Sequence, residues 1–295
     1  MSRQLAFSKY HGAGNDFVMV FDPDDAEPLD ATTVADLCDR RFGIGADGLI
    51  RVVRTGDDDA RWFMDYRNAD GSDAEMCGNG VRCVGAMLHD VGAESAETFA
   101  VRTRAGVKQL TLERLEGSGY RVTVVMGVPN FTKAAIPMRG PAWETFLGQP
   151  FDLGGGITVT ASALSMGNPH LVLFVDEDPD RFHVGHIGSA IQRDERFPEG
   201  VNVEFVSVGG DDVIDARVWE RGSGETMACG SGACAIAVAA NEAGLADARV
   251  TVRFPGGDLA VTRTSSGQVE LTGDAVHVFD GSVEPERLDV PAPAS

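Results

Sequence analysis

The sequences MCGNG at residues 76–80 and ACGSG at residues 228–232 decide how the rest of this chain is interpreted. Each places a cysteine at the start of a segment with helical character, and each segment reaches a glycine, Gly92 or Gly244, fifteen residues after its cysteine. A helix N-terminus offers unpaired N–H groups and the positive end of the helix dipole, which favour the thiolate of a cysteine there. The pair predicts two thiols, one on each side of a substrate.

The two motifs belong to a longer internal repeat. GNDF at residues 14–17 precedes an apolar run, and GNPH at residues 167–170 does the same at an offset of 153. A strand-like segment, a polar turn and the cysteine follow in both halves at an offset of 152, and VR at residues 101–102 matches VR at 252–253 at 151. Three features at nearly one offset predict a duplication that produced two similar domains facing each other.

The segments behind the two cysteines are apolar on nearly all sides. Residues 233–240 read ACAIAVAA, and residues 81–88 read VRCVGAML with Arg82 as the exception. Because a helix without a polar face is normally buried, each is predicted to be the central helix of its domain, surrounded by strands. The other cysteines are interpreted as small buried hydrophobic residues: Cys38, Cys83 and Cys234.

The predicted fold class is α/β, more specifically α+β, with one domain over residues 1–129 and a second over residues 130–274. Four prolines between about residues 129 and 157 favour a linker into the second domain. Residues 285–295 are rich in proline and are predicted to form a disordered tail.

Composition excludes several classes of function. A net charge of −20 over 295 residues argues against nucleic acid and against an anionic membrane as partners. No run of 18 apolar residues occurs, and the N-terminus lacks the apolar core of a signal peptide. The odd number of cysteines, five, does not indicate a disulfide framework. We therefore expect a cytoplasmic protein.

The sequence favours neither a metal nor a cofactor. The cysteines are spaced C-x5-C and C-x4-C, unlike the C-x2-C pairs of structural zinc sites. GIGADG at residues 43–48 matches G-x-G-x-x-G, but no strand leads into it, so we interpret it as a tight turn. None of the three lysines lies in a setting that would suit pyridoxal phosphate.

Two opposed thiols suit inversion at a carbon atom. One sulfur removes a proton from one face while the other returns a proton to the opposite face, which is general acid–base catalysis. The backbone N–H groups at Gly78-Asn79 and Gly230-Ser231 could bind the carboxylate beside the reacting carbon and stabilise its enolate-like charge.

Five motifs in order also carry a resemblance that covers nearly the whole chain. They are GAGNDF with Asn15, MCGNG with Cys77, GNPH with Asn168, NVEF with Asn202 and ERGSGETMACGSGA with Cys229. Together they resemble the diaminopimelate epimerases. The resemblance implies a cofactor-independent, two-cysteine interconversion of L,L- and meso-diaminopimelate, in lysine and peptidoglycan precursor biosynthesis.

The resemblance also implies roles for individual residues, with Cys77 and Cys229 as the acid/base pair. Substrate binding is implied for Asn15, Asn68, Gly78, Asn79, Asn168, Asn202, Glu220, Arg221, Gly230 and Ser231. His170 and Glu220 are similar to positions that tune the thiol pKa values. The implied architecture is a curved mixed sheet around each helix, a site in the cleft between the domains, a strand near 275–284 that returns to the first domain, and a homodimer.

One position departs from the family pattern, and further functions stay open. Many relatives have glutamine where Gly48 stands, so that one substrate contact is in doubt.

The proline racemases share the two-cysteine plan, but typically carry histidine in place of Asn79. A distal clamp containing Arg221 and Glu220 argues against proline or hydroxyproline as substrate. The chain could also be an isomerase of this fold without two-thiol chemistry, or a non-enzymatic anion-binding protein.

Overall fold

The computed structural model describes residues 4–117, 119–210 and 212–288. Its contacts divide the chain into one unit of residues 1–124 and 274–295 and a second of residues 125–273. The domain boundary predicted at residues 129 and 130 remains a prediction.

The first unit contains two helices and a mixed sheet. Its elements are β1 (Leu5–Gly12), β2 (Asn15–Phe21), α1 (Ala31–Cys38), β3 (Gly48–Arg54), β4 (Trp62–Asn68), α2 (Gly78–Asp90), β5 (Thr98–Thr103), β6 (Gly106–Arg114) and β7 (Gly119–Gly127). The strands are neighbours in chain order from β1 to β7.

The second unit contains the corresponding elements. They are β8 (Phe146–Gly154), β9 (Ile157–Ser165), β10 (Pro169–Phe174), α3 (Val184–Gln192), β11 (Asn202–Val208), β12 (Val213–Glu220), β13 (Gly224–Thr226), α4 (Gly230–Glu242), β14 (Arg249–Phe254), β15 (Gly257–Arg263) and the start of β16 (Val269–Val283), which belongs to the first unit from residue 274 onward. The first part of β16 pairs with β15, and its last part pairs with β1 of the first unit's sheet.

The two units repeat one pattern of strand pairing. From β1 to β6 the successive pairs are antiparallel, parallel, antiparallel, parallel and antiparallel. The series β9, β10, β11, β12, β14 and β15 gives the same succession. The prediction of two similar mixed-sheet domains is confirmed.

Each unit is built around its second helix. The first eleven residues of α2 and of α4 are all buried, and strands of the same unit contact both helices. Each helix is followed by a glycine in the left-handed region, Gly92 with φ 67° or Gly244 with φ 69°, as the sequence predicted. Cys38, Cys83 and Cys234 are buried, and burial raises the pKa of Cys38 and of Cys83 to about 12.

Glycines in the first turn of these helices permit close packing. A Cβ atom placed on Gly80 would lie 2.8 Å from Ile50 Cδ1, and one placed on Gly232 would lie 3.1 Å from Glu204 Oε1. In both cases the neighbouring side chain would have to move to make room for a Cβ atom. The absence of a side chain thus brings β3 and β11 against the ends of the helices that carry the cysteines.

The prediction of a linker between residues 129 and 157 is wrong for much of that segment. Pro150 lies in β8, which pairs with β9 at the edge of the sheet, where a missing N–H is tolerated. Ile136 and Met138 are buried in the core of the second unit. Pro150 therefore belongs to an edge strand, and the segment before it is packed into the second unit.

The first residues of the predicted disordered tail are ordered. Residues 285–287 form a 3₁₀ turn, and Leu288 packs against the core of the first unit, so residues 285–288 are ordered. The rest of the predicted tail, 289–295, lies outside the described residues. Across residues 4–117, 119–210 and 212–288, none of the helices has the length and apolar character needed to cross a membrane.

Candidate active site

The two matched cysteines occupy the same backbone position in their units. Cys77 is the N-cap of α2, with φ −132° and ψ 122°, and Cys229 is the N-cap of α4, with φ −125° and ψ 120°. Each sulfur accepts a hydrogen bond from the third helical residue, at 3.5 Å from Gly80 N and 3.4 Å from Gly232 N. In both units the sulfur therefore lies at the positive end of a buried helix.

In the first unit, Asn15 joins the cysteine to the start of β2. Its Oδ1 accepts from Cys77 Sγ at 3.4 Å and from Asn79 Nδ2 at 3.4 Å, while its Nδ2 donates to Asp47 Oδ2 at 2.7 Å. Asp47 therefore fixes which end of the Asn15 amide points at the sulfur. The carbonyl oxygen faces Cys77 and accepts from its S–H, an interaction that the neutral thiol makes.

A group of charges holds Asp47 in place. Arg40 Nη2 lies 2.6 Å from both Asp16 Oδ1 and Asp47 Oδ1, and Lys9 Nζ lies 2.7 Å from Asp16 Oδ2. Burial alone would raise the pKa of Asp16, but hydrogen bonds from Arg40 and Lys9 outweigh it and lower that pKa to about 2. The turn at residues 43–48 thus supports Asn15 through Asp47, a residue that the sequence analysis did not identify.

Asn68 and Gly48 are opposite one another on β4 and β3. Asn68 Nδ2 donates to Ser72 Oγ at 3.0 Å. A Cβ atom on Gly48 would lie 2.6 Å from the carbonyl oxygen of Arg67 and 2.7 Å from Cε2 of Tyr66. The Tyr66 ring fills the space that a longer residue at position 48 would need, which gives the departure at Gly48 a structural cause.

In the second unit, a chain of hydrogen bonds leads to the cysteine. His170 Nδ1 lies 2.6 Å from Glu204 Oε1, and His170 Nε2 lies 3.0 Å from Asn168 Oδ1. Asn168 Nδ2 donates to Ser231 Oγ at 3.2 Å, and Ser231 Oγ lies 3.5 Å from Cys229 Sγ. Four of the predicted site residues are therefore brought together with Glu204, which the sequence analysis did not identify.

The remaining predicted residues of the second unit surround the β12–β13 hairpin. Asn202 Nδ2 donates to the carbonyl oxygen of Pro169 at 2.8 Å, and Asn202 Oδ1 accepts from Arg221 N at 2.8 Å. Arg221 Nη1 donates to Glu199 O at 3.2 Å, and the Thr226 hydroxyl donates to the Glu220 carboxylate. Asn202 is buried, so its side chain positions the start of β10 and the hairpin.

The electrostatic setting of Cys229 differs from the one expected at a helix end. Its residue is 5% exposed, and burial raises the pKa of the thiol well above its ordinary value, with the nearby Glu220 carboxylate adding to the increase. Donation from Ser231 and Gly232 lowers this pKa, but by less. The helix end therefore lowers the pKa of Cys229 as expected, but burial and the neighbouring carboxylates outweigh that effect in this structure.

Two signals in the sequence could have indicated the additional residues. Glu204 interrupts the apolar run of VNVEFV at residues 201–206, in a strand whose neighbouring side chains are buried. A carboxylate there requires a partner, and His170 on the neighbouring strand supplies it. Asp47 belongs to GIGADG, which the sequence analysis interpreted from its glycines alone, without assigning a role to the acid.

Comparisons with known proteins agree over most of the chain. A family model described as diaminopimelate epimerase matches residues 7–132 and 162–278. A diaminopimelate epimerase from Synechocystis is 41% identical over 283 residues, covering 95% of this chain and 99% of the relative.

Two crystal structures show the same fold at low identity. A phenazine biosynthesis protein from Bacillus anthracis aligns with a TM-score of 0.69 at 15% identity, covering 95% of this chain and 99% of that chain. A probable proline racemase from Agrobacterium radiobacter aligns with a TM-score of 0.65 at 16% identity, covering 95% and 92%.

Proposed function

The chain belongs to the diaminopimelate epimerase family, and on that premise we propose that it interconverts L,L- and meso-diaminopimelate without a cofactor. The observation that carries the proposal is the pair Cys77 and Cys229, each at the N-cap of the buried helix of one unit. The reaction is an isomerisation, and its place is in lysine and peptidoglycan precursor biosynthesis, in the cytoplasm.

The chemistry requires each sulfur to act on one face of the α-carbon. One sulfur, as thiolate, takes the α-proton, and the other, as thiol, returns a proton to the opposite face, so that the products differ only in configuration. The reverse reaction exchanges the two roles. A raised thiol pKa at Cys229 supports a group that holds its proton until the α-carbon becomes negative.

The N–H groups of Gly78, Asn79, Gly230 and Ser231 are the proposed donors to the reacting carboxylate. They lie in the first turns of α2 and α4, where the backbone donors and the helix dipole favour an anion. Charge that develops on the carboxylate during proton removal is stabilised by the same donors.

The other end of diaminopimelate carries a second amino acid group. We assign its carboxylate to the Arg221 guanidinium and its ammonium to the Glu220 carboxylate, because these are the charge-complementary groups at the hairpin. Asn15, Asn68, Asn168 and Asn202 complete the proposed binding set, with His170 and Glu220 tuning the thiols. Asn202 acts partly by holding Arg221 N in place.

The decisive experiment uses reduced protein without added cofactor in deuterated water. Deuterium entry at the α-carbon of L,L-diaminopimelate, together with formation of the meso isomer, is the expected result. Exchange with proline or hydroxyproline in place of diaminopimelate would contradict the proposal and favour a racemase. Folded, reduced protein that binds diaminopimelate but exchanges no α-proton would favour an anion-binding protein.

We also propose a homodimer. Val278 and Phe279 on β16 are large apolar side chains that are 52% and 45% exposed in the single chain, and the Phe279 ring packs edge-on against Phe7. Exposed neighbouring apolar side chains on a strand suit a partner surface. Light scattering of the purified protein is expected to give twice the chain mass of 31.2 kDa, with Phe279→Asp shifting it toward the monomer. A monomeric wild type would contradict the proposal.

A further inference from the structure

The buried acid Glu204 lies at a position where the two units have side chains of different chemistry. His170 in β10 corresponds to Phe17 in β2, and Glu204 in β11 corresponds to Ile50 in β3. Ile50 faces Gly80 of α2, and Glu204 faces Gly232 of α4. One unit thus fills this place with an apolar pair and the other with an ionisable pair.

Packing does not require the ionisable pair. The Phe17 and Ile50 side chains fill the corresponding space in the first unit and are both fully buried. Replacing two buried hydrogen-bonded or charged partners by well-packed apolar residues is often neutral or stabilising, because the desolvation of the polar groups is avoided. A chain that keeps histidine and glutamate there, both fully buried, therefore keeps them for a purpose other than stability.

Hydrogen-bond roles fix the position of the proton on His170. Asn168 Oδ1 can only accept, so His170 Nε2 must carry the hydrogen of their 3.0 Å bond. The Asn168 amide then donates to Ser231 Oγ, and the Ser231 hydroxyl hydrogen remains available to Cys229 Sγ, 3.5 Å away; in this arrangement Ser231 is the donor to the sulfur. Every donor from His170 to the sulfur faces the same way.

The remaining proton lies between Glu204 and His170 Nδ1. Among the described residues, Glu204 Oε2 is buried without a hydrogen-bond partner, which is costly for an ionised carboxylate. Burial also raises the pKa of Glu204, although His170 acts against that increase. A protonated Glu204 that donates to Nδ1 satisfies His170 as a neutral ring with its hydrogen on Nε2.

We propose that Glu204 is a positioning residue for this reaction, which holds His170 in the Nε2–H tautomer and thereby aims the Asn168 and Ser231 donors at Cys229. This inference rests on the proposed function for its catalytic consequence. The chain of hydrogen bonds itself concerns the free protein and can be tested without substrate.

The test compares Glu204→Gln with Glu204→Ile. The glutamine amide can donate to Nδ1 as the protonated acid does, so we expect its α-proton exchange to stay within about tenfold of wild type. Isoleucine cannot donate, and we expect a loss of about 100-fold, the scale that a misdirected active-site group typically costs. Glu177→Gln, an exposed acid of the same unit, controls for the loss of one acidic group.

A second readout uses iodoacetamide and mass spectrometry in the absence of substrate. Because Glu204 itself raises the pKa of Cys229, the reference is Glu204→Gln, which lacks the same acid. With the Ser231 hydrogen no longer aimed at the sulfur, Cys229 in Glu204→Ile is expected to be alkylated only at higher pH than in Glu204→Gln, while Cys77 keeps its profile. Unchanged alkylation of Cys229, or an equal change at both cysteines, would overturn the proposal. Failure of the wild type to epimerise diaminopimelate would refute the proposed function and leave this readout decisive for Glu204.

The double variant His170→Phe/Glu204→Ile shows whether a loss of activity results from impaired folding. It places in the second unit the pair that already packs in the first, so its thermal midpoint is expected at or above that of wild type. Its exchange activity is expected to fall at least as far as that of Glu204→Ile. Wild-type turnover by either folded variant would overturn the proposal.

Discussion

The two cysteine-bearing helix ends share a backbone and differ in nearly everything that touches the sulfur. The N-cap dihedral angles agree within 7° in φ and 2° in ψ, but Cys77 is half-buried beside Asn15 and Cys229 is buried beside Ser231. A carbonyl oxygen faces the first sulfur, while a hydroxyl group approaches the second. Duplication thus preserved the position of the thiol, while the side chains around it diverged.

The largest effect should come from removing either thiol. Cys77→Ala and Cys229→Ala are each expected to lower epimerisation by about 10³-fold or more, because one face of the α-carbon then lacks its proton carrier. Circular dichroism should show an unchanged fold. Full turnover by one variant would mean that a single cysteine suffices, and the two halves would not be partners in one reaction.

The rate of alkylation should distinguish the two cysteines. At about pH 8 iodoacetamide is expected to modify Cys77 at least about tenfold faster than Cys229, because burial and a raised pKa leave less Cys229 thiolate. The rate at Cys229 should continue to rise with pH well beyond the range of an ordinary thiol. Peptide mass spectrometry measures both rates, and equal rates would contradict the assigned difference.

Asp47→Asn tests the support that Asp47 gives to Asn15 in the first unit. An asparagine at this place can offer its own N–H to Asn15, so the Asn15 amide is no longer forced to turn its carbonyl oxygen toward Cys77. We expect kcat to fall about tenfold while the alkylation of Cys229 stays unchanged, since a misplaced active-site group costs rate. A wild-type kcat would show that Asp47 does not orient Asn15.

The smallest effect concerns stability in acid. Because the folded pKa of Asp16 is lowered from 3.8 to about 2, its charge stabilises the protein above about pH 4, and that contribution disappears as the pH falls toward 2. After a discount for solvent screening of this half-buried group, Asp16→Asn should cost about 1 to 2 kcal/mol at neutral pH. Urea unfolding at neutral pH and near pH 2 should show the difference shrinking, and a constant difference would contradict the linkage.

Local patterns in the sequence were sufficient for the central helices and the repeat. An apolar run of helical length, a preceding cysteine and a closing glycine are all encoded within fifteen residues, and the structure has each of them. The repeat predicted two similar units, whereas the individual strand pairings are known only from the structure.

The sequence analysis missed features that depend on contacts between residues far apart in the sequence. The raised pKa of Cys229 comes from burial by its whole unit and from Glu220, so a dipole argument at the helix end could not reveal it. The pairing of His170 with Glu204 joins residues 34 apart through a parallel strand register. Prolines at 129–157 suggested a linker because an edge strand and a linker tolerate the same residue.

The contact between Tyr66 and Gly48 restricts the order in which substitutions can accumulate. A side chain longer than hydrogen at position 48 meets the Tyr66 ring and the Arg67 carbonyl oxygen, so it can enter only after the ring has been lost or displaced and the β4 backbone has shifted. In this chain, Gly48→Gln alone is expected to lower the free energy of unfolding. A smaller residue at position 66 removes the contact with the ring and so reduces that cost. A change at position 66 should therefore come first, and a homologue's glutamine introduced at position 48 as a single substitution is expected to destabilise this chain.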